Sequence, residues 1–171
     1  MSPSPEKDWQ GRLLILDTGV MRELVLFHAV QVLRFIKLKR DLRFIKNQHS
    51  YQKCVQFMAG FRHKTTSPSV VAELHYWIRK TDSPGHLKLW NRVYDEFNNM
   101  NIAEEVVKLT DMDVNQVARF GPVDVSLIEI ARRNAEHSPC ILTVENALCG
   151  VCEKANIRAL SIEEVTLTAL R

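Results

Sequence analysis

Short apolar runs alternate along this chain with longer segments of helical periodicity. The short runs predict strands at residues 13–16, 64–66, 105–109, 141–143 and 157–160. Elsewhere, apolar residues recur three and four positions apart, which is the spacing of a helix. This spacing predicts helices at residues 19–60, 69–80, 87–97, 113–119, 123–134 and 146–155. Such alternation is typical of an α/β fold, so we expect a parallel sheet of four or five strands covered by helices on both faces.

The composition favours one compact domain. With 171 residues, 46% of them hydrophobic and 25% charged, the chain is long enough to bury a sizeable core. We assign residues 11–171 to this domain and residues 1–10 to a flexible polar tail, which lacks the apolar stretch of a signal peptide. The longest apolar stretch, residues 24–33, contains His28 and Gln31 and is too short to span a bilayer. These features predict a soluble, cytoplasmic protein with no membrane partner.

The four cysteines are unevenly spaced, unlike the dense framework of a small secreted domain, so we expect them to be reduced. His137 and Cys140 are followed by Cys149 and Cys152, a pattern that also allows a zinc site. However, Cys152 shares a helical spacing with neighbouring apolar residues, which predicts a small core residue. We therefore disfavour zinc.

Basic residues concentrate in one segment. Residues 34–53 hold seven of the 23 Lys and Arg residues and one of the 20 acids, so this segment supplies the positive excess of the chain. Its apolar residues recur at helical spacing, which predicts an amphipathic basic helix at about residues 30–53. Its basic face is either simply solvated, or a surface for phosphates or an acidic partner. The candidate nucleic-acid contacts are Lys37, Lys39, Arg40, Arg43 and Lys46.

A carboxylate ends the first predicted strand. Asp17 follows the apolar run Leu13–Leu16, and ligands of open parallel sheets bind beyond the carboxyl ends of the strands where the strand order reverses. The structural alternative is that Asp17 caps the following helix.

Three further acids occupy comparable places. Asp124 lies within about 20° of Ala131 on the apolar face of its predicted helix, where an unpaired carboxylate needs a cation, a proton or a capping role. Glu73 borders an apolar helical stripe, and Glu145 follows the strand at 141–143. Taken alone, Glu73 fits a surface residue and Glu145 an ordinary first-turn acid.

A parallel sheet can bring these four acids together. Carboxylates that face one another repel unless a hard divalent cation, such as Mg²⁺ or Mn²⁺, neutralises them. Such a cation could activate a water molecule and offset charge on a phosphodiester.

Four stretches of the chain resemble the PIN-domain nucleases, which include the toxins of many bacterial toxin–antitoxin pairs. These stretches are LLILDTGV with Asp17, SPSVVAEL with Glu73, FGPVDVSLIEIA with Asp124, and ILTVENAL with Thr143 and Glu145. The resemblance covers about residues 12–162 and implies a PIN-like parallel sheet and a metal-dependent acidic site that cuts RNA. Thr18 and Thr143 would support the four acids by hydrogen bonds.

The chain departs from the family pattern in two places. Glu145 stands where the family usually has aspartate and reaches about 1.5 Å further. The region at residues 20–63 is longer than in compact toxins and contains the basic segment.

The resulting expectation is a metal-dependent endoribonuclease with an RNA substrate, in which Asp17, Glu73, Asp124 and Glu145 bind Mg²⁺ or Mn²⁺. The alternative is a catalytically weak PIN-like protein that binds nucleic acid or a partner. A third possibility is an interaction protein that needs no metal. An antitoxin, another protein or a second copy of the chain are the candidate protein partners.

Overall fold

A five-stranded, all-parallel sheet forms the centre of the protein. The structure is a computed structural model that describes residues 9, 11–34, 39, 41–80 and 86–168. The strand order is β3-β2-β1-β4-β5. The strands are β1 (Leu13–Leu16), β2 (His63–Thr66), β3 (Ile102–Glu104), β4 (Cys140–Thr143) and β5 (Arg158–Ser161). The α/β prediction is therefore confirmed.

Helices cover both faces of the sheet. They are α1 (Thr18–Gln31), α2 (Gln48–Ala59), α3 (Pro68–Lys80), α4 (His86–Met100), α5 (Val114–Phe120), α6 (Pro122–Arg133), α7 (Asn146–Lys154) and α8 (Ile162–Thr168). Within the described ranges, no helix has both the length and the apolar character needed to cross a membrane.

The core consists of two layers because side chains of β1 alternate between the faces of the sheet. Leu14 and Leu16 pack with the buried residues of α1, α3 and α4. Leu13 and Ile15 point the other way and pack with those of α6 and α7. Full burial on both faces explains why this strand is a continuous apolar run.

Cys152 is confirmed as a core residue. It lies on α7, fully buried among apolar side chains. Burial raises the pKa of Cys152 and of Cys140 to about 12 in each case, so both thiols are protonated in the metal-free protein. His137, by contrast, is exposed.

The third strand differs from the prediction at 105–109. The edge strand β3 is Ile102–Glu104, paired with β2 from Lys64 to Thr66. Ile102 buries its side chain, whereas Val106 and Leu109 remain 66% and 68% exposed. The apolar run that suggested a strand therefore lies mostly on the surface.

The continuous basic helix expected over residues 34–53 is wrong for the described residues 42–47, which are not helical. Helix α2 begins only after Asn47, whose side chain caps it by accepting the Ser50 N–H. The cause is the fully buried Glu23 of α1, which accepts the backbone N–H groups of residues 43–45 at 3.0–3.3 Å. In a helix, these groups would bond to carbonyls four residues earlier. Lys37 and Arg40 lie outside the described residues.

Trp9 belongs to the predicted tail but packs against the domain. Its ring centroid lies 5.4 Å from that of Phe57 and 4.9 Å from that of Phe61. The guanidinium of Arg158 lies 4.2 Å from the same ring. The rest of the predicted tail, residues 1–8 and 10, lies outside the described residues.

Candidate acidic site

Asp17 lies where the strand order reverses. Strand β1 has β2 on one side and β4 on the other, so the carboxyl ends of β1 and β4 flank the crevice in which such sheets bind ligands. The Asp17 N–H donates to the Leu142 carbonyl at 3.1 Å. The Thr143 hydroxyl donates to Asp17 Oδ2 at 2.7 Å and fixes a carboxylate that is only 5% exposed.

Asp17 stands at the N-cap position of α1, yet its side chain makes no capping hydrogen bond. Burial raises the pKa of Asp17 most, and the charge of Glu145 raises it further, whereas the Thr143 hydrogen bond and the backbone N–H groups of Thr18 and Gly19 lower it. These N–H groups lie at the start of α1, so the capping alternative for Asp17 stays open beside a role in the site.

One pocket of about 550 Å³ gathers the four predicted acids along its lining. The acids come from four separate parts of the chain: the end of β1, helix α3, the first turn of α6 and the β4–α7 connection. They are Asp17, Glu73, Asp124 and Glu145. The fold thus brings together residues that are up to 128 positions apart, as the difference between 145 and 17 shows.

The two predicted threonines position these acids. Thr18, at the start of α1, donates its hydroxyl to Glu73 Oε2 at 2.6 Å. Thr143 accepts the Glu145 N–H at 3.0 Å while donating to Asp17. Each threonine therefore connects elements that carry different acids.

Two features that the sequence analysis missed hold these elements together. Buried Ser126 donates to Ser67 at 2.8 Å, which joins the beginnings of α6 and α3. A Cβ atom at Gly19 would lie 2.1 Å from a methyl carbon of Val144, so only glycine lets α1 approach the β4–α7 connection this closely.

Asp124 lies half-buried in the first turn of α6, as the helical projection predicted. Burial raises its pKa to about 7, helped by the negative charges of Asp17, Glu145 and Glu73. In the absence of a cation, Asp124 therefore keeps its proton to a higher pH than an ordinary aspartate does.

The donor chemistry of the pocket fits a hard divalent cation, although the side chains do not converge. Within the described residues, no three His, Cys, Asp or Glu side chains are gathered into a metal-binding group. None of the four acids forms an ion pair in that part of the chain. Glu73 and Glu145 are both exposed, but Glu73 is held by the Thr18 hydroxyl, so Glu145 is the acid that can change rotamer and turn toward a cation. Carboxylates are the oxygen ligands that Mg²⁺ and Mn²⁺ prefer.

We expect the stability of the metal-free protein to fall as pH rises toward neutrality. Between its ordinary pKa of 3.8 and its folded value of about 7, Asp124 holds a proton in the native state that the unfolded chain has lost. The free energy of unfolding therefore decreases from about pH 4 to about pH 7 and changes no further through this group. In EDTA, the melting temperature of Asp124→Asn relative to that of the wild type should therefore increase by about 2 °C as the pH rises across this range. The prediction is contradicted if the melting temperatures of the two proteins change with pH in the same way.

Among the other residues that line the pocket, four aromatic or basic ones from α1 and α3 were not candidate site residues in the sequence. They are Arg22 on α1 and Tyr76, Trp77 and Lys80 on α3. The sequence places residues 73, 76, 77 and 80 on one face of α3 by their helical spacing, but this spacing does not indicate that the face lines a pocket. The described basic residues Lys39, Arg43 and Lys46 are exposed and do not line this pocket.

Comparisons with known proteins add no family to this geometry. No model of a protein family matches the chain, and no curated protein matches it.

Proposed function

We propose that this protein is a metal-dependent endoribonuclease of the PIN type. The observation that carries the proposal is that four acids from separate parts of the chain line one pocket, at the edge of a parallel sheet where the strand order reverses. A structural role would bring such acids together with cations or helix caps. Among the described residues, none of the four acids forms an ion pair that would explain its place at the pocket.

In this proposal, Asp17, Glu73, Asp124 and Glu145 hold Mg²⁺ or Mn²⁺, directly or through water. The bound cation would activate a water molecule and offset negative charge on the phosphodiester. Asp17 is the most rigid member, because burial and the Thr143 hydrogen bond fix its carboxylate. Thr18 similarly restrains Glu73, while Glu145 has no hydrogen bond to its side chain in the described residues.

A second candidate function is a PIN-like protein that binds nucleic acid or a partner and cuts weakly. It is favoured by the spread of the carboxylates around the pocket and by the exposure of Glu145. In that case the exposed Lys39, Arg43 and Lys46 would supply phosphate contacts. A toxin role with an antitoxin partner rests on the family resemblance alone.

The metal preference tests the proposal. Mg²⁺ demands near-ideal octahedral geometry and sheds water reluctantly, so a longer and unrestrained Glu145 should impair a Mg²⁺ site more than a Mn²⁺ site. We expect wild-type protein to cut an unstructured RNA faster with Mn²⁺, and Glu145→Asp to narrow the difference between the two ions. Saturation with Mn²⁺ at about 100 times its Kd should also add about 2.7 kcal/mol to the free energy of unfolding.

Asp17→Asn, purified in the same way, is the control for contaminating ribonuclease in this assay, because this variant should not cut RNA. If Glu145→Asp is inactive with both ions, the longer side chain is required by this backbone and the argument on metal preference is wrong. If wild-type protein cuts nothing with either ion and its melting temperature ignores Mn²⁺, the binding-protein alternative replaces the nuclease.

A further inference from the structure

One face of α3 continues the acidic pocket into a surface of different chemistry. Tyr76, Trp77 and Lys80 follow Glu73 by three, four and seven residues, which places them on the same side of the helix. All of them line the pocket together with Glu73. The pocket therefore has an acidic end and, beside it, a wall of aromatic rings and cations.

Arg22 of α1 completes this wall and has no hydrogen-bond or ion-pair partner in the part of the chain that the structure describes. Its guanidinium lies 5.8 Å from the centroid of the Trp77 ring, within the range of a cation–π contact. Its Nε atom is buried and has no hydrogen-bond partner among the described residues. A buried donor without an acceptor is costly, so Arg22 is suited to an anion that enters the pocket from outside.

Tyr76 offers a ring to such a ligand. It is 60% exposed, and the Lys80 ammonium lies 4.4 Å from its ring centroid. A planar ring beside a cation is the combination that proteins use for single-stranded nucleic acid, with a base stacked on the ring and a phosphate on the cation. The acids alone cannot provide either contact.

We propose that Arg22, Tyr76, Trp77 and Lys80 form a nucleotide-binding wall that holds an unpaired nucleotide of single-stranded RNA beside the acidic end of the pocket. The wall selects single strands because a stacked base must expose its face, and both faces are covered within a duplex. That the strand is RNA rests on the proposed function. The stacking and phosphate contacts rest on the wall itself.

Binding of a short fluorescein-labelled, unstructured RNA tests the proposal without cleavage. We measure Kd by fluorescence anisotropy in EDTA, so that no divalent cation is present, with Tyr76→Ala and Tyr94→Ala as the matched pair. Tyr94 is 61% exposed on α4 and does not line the pocket. We expect Tyr76→Ala to weaken binding about tenfold, the loss of one stacked base, and Tyr94→Ala to leave Kd unchanged.

The salt dependence tests the cations separately. Lys80→Gln and Arg22→Gln should each flatten the slope of log K against log salt by about 0.7, the value for one phosphate contact on a single strand. Lys88→Gln, an exposed residue of α4 outside the pocket, should leave the slope unchanged. Melting curves check that each variant is folded. If Arg22→Gln does not fold, Arg22→Lys replaces it, because lysine retains the charge but lacks the planar guanidinium.

The proposal is overturned if wild-type protein does not bind the strand in EDTA, or if Tyr76→Ala and Tyr94→Ala bind alike. It is also overturned if a duplex of the same sequence binds as tightly as the single strand. Failure of the nuclease proposal looks different, because the Tyr76 effect on Kd would persist while no RNA is cut with Mn²⁺. Conversely, if the protein cuts RNA and Tyr76→Ala has no effect on Kd, the nuclease proposal is supported and the nucleotide-binding wall is rejected.

Discussion

Asp17→Asn and Asp124→Asn should each reduce RNA cleavage by about a thousandfold or more, because a metal ion supplies several kcal/mol of stabilisation to the reacting phosphate. Both changes keep the size of the side chain but remove a charged ligand. The asparagine oxygen at position 17 can still accept the Thr143 hydroxyl, which now bonds to Asp17 Oδ2. The loss should therefore come from the metal site and not from the local fold.

The folded state in EDTA separates a catalytic role from a structural one. Burial raises the pKa of both aspartates, so the neutral asparagine should leave the melting temperature unchanged or increase it. Mn²⁺ should raise the melting temperature of the wild type but not of either variant. Glu153→Gln, a change at an exposed acid of α7, is the matched control and should retain both cleavage and the response to Mn²⁺. Clear destabilisation of both aspartate variants in EDTA would assign these residues a structural role.

Glu23→Ala should lower the free energy of unfolding by about 3 kcal/mol or more, the largest stability effect expected for an acid of this protein. Glu23 is fully buried and accepts the backbone N–H groups of residues 43–45. Alanine would leave these donors without an acceptor, at a cost of about 1–3 kcal/mol for each one that stays buried. Glu23→Gln should cost less, because its amide oxygen can still accept.

Thermal melting and amide hydrogen exchange together test this role. A loss of about 3 kcal/mol corresponds to a fall of about 10 °C in the melting temperature of a chain of this size. The amide protons of Phe44 and Ile45 should exchange faster in Glu23→Ala, whereas Glu153→Ala should change neither measurement. Unchanged exchange at Phe44 and Ile45 would show that Glu23 does not hold this segment.

The Glu23 contact explains why the basic segment was mispredicted. Helical periodicity at residues 34–53 describes which side chains are apolar, and Ile45 is indeed buried. Periodicity does not describe where the backbone N–H groups bond, and here their acceptor lies 20–22 positions away on another helix. A local pattern cannot reveal such a partner.

The prediction of the edge strand at residues 105–109 was wrong for a related reason. Val106 and Leu109 resemble the residues of a buried strand, but burial depends on which segment can pair with β2. The chain places Ile102 there, directly after α4 ends and with Asn101 in a left-handed conformation. The pairing partner, and not the apolar character of the run, selects the strand.

The sequence by itself determined the central strands and the placement of Asp17 and Asp124. A strand buried on both faces is a continuous apolar run, and an acid on the apolar face of a helix stands among apolar residues at helical spacing, so both can be recognised from neighbouring residues. Only the tertiary structure decided that Glu73 and Glu145 share a pocket with them, and that Arg22, Tyr76 and Lys80 form its other wall. Glu73 and Tyr76 are exposed, and exposed positions carry no periodic signal of burial. Whether this face of α3 meets Asp17 and Glu145 depends on the strand order and on close approaches such as that of Gly19 to Val144, which are set by contacts between segments far apart in the chain.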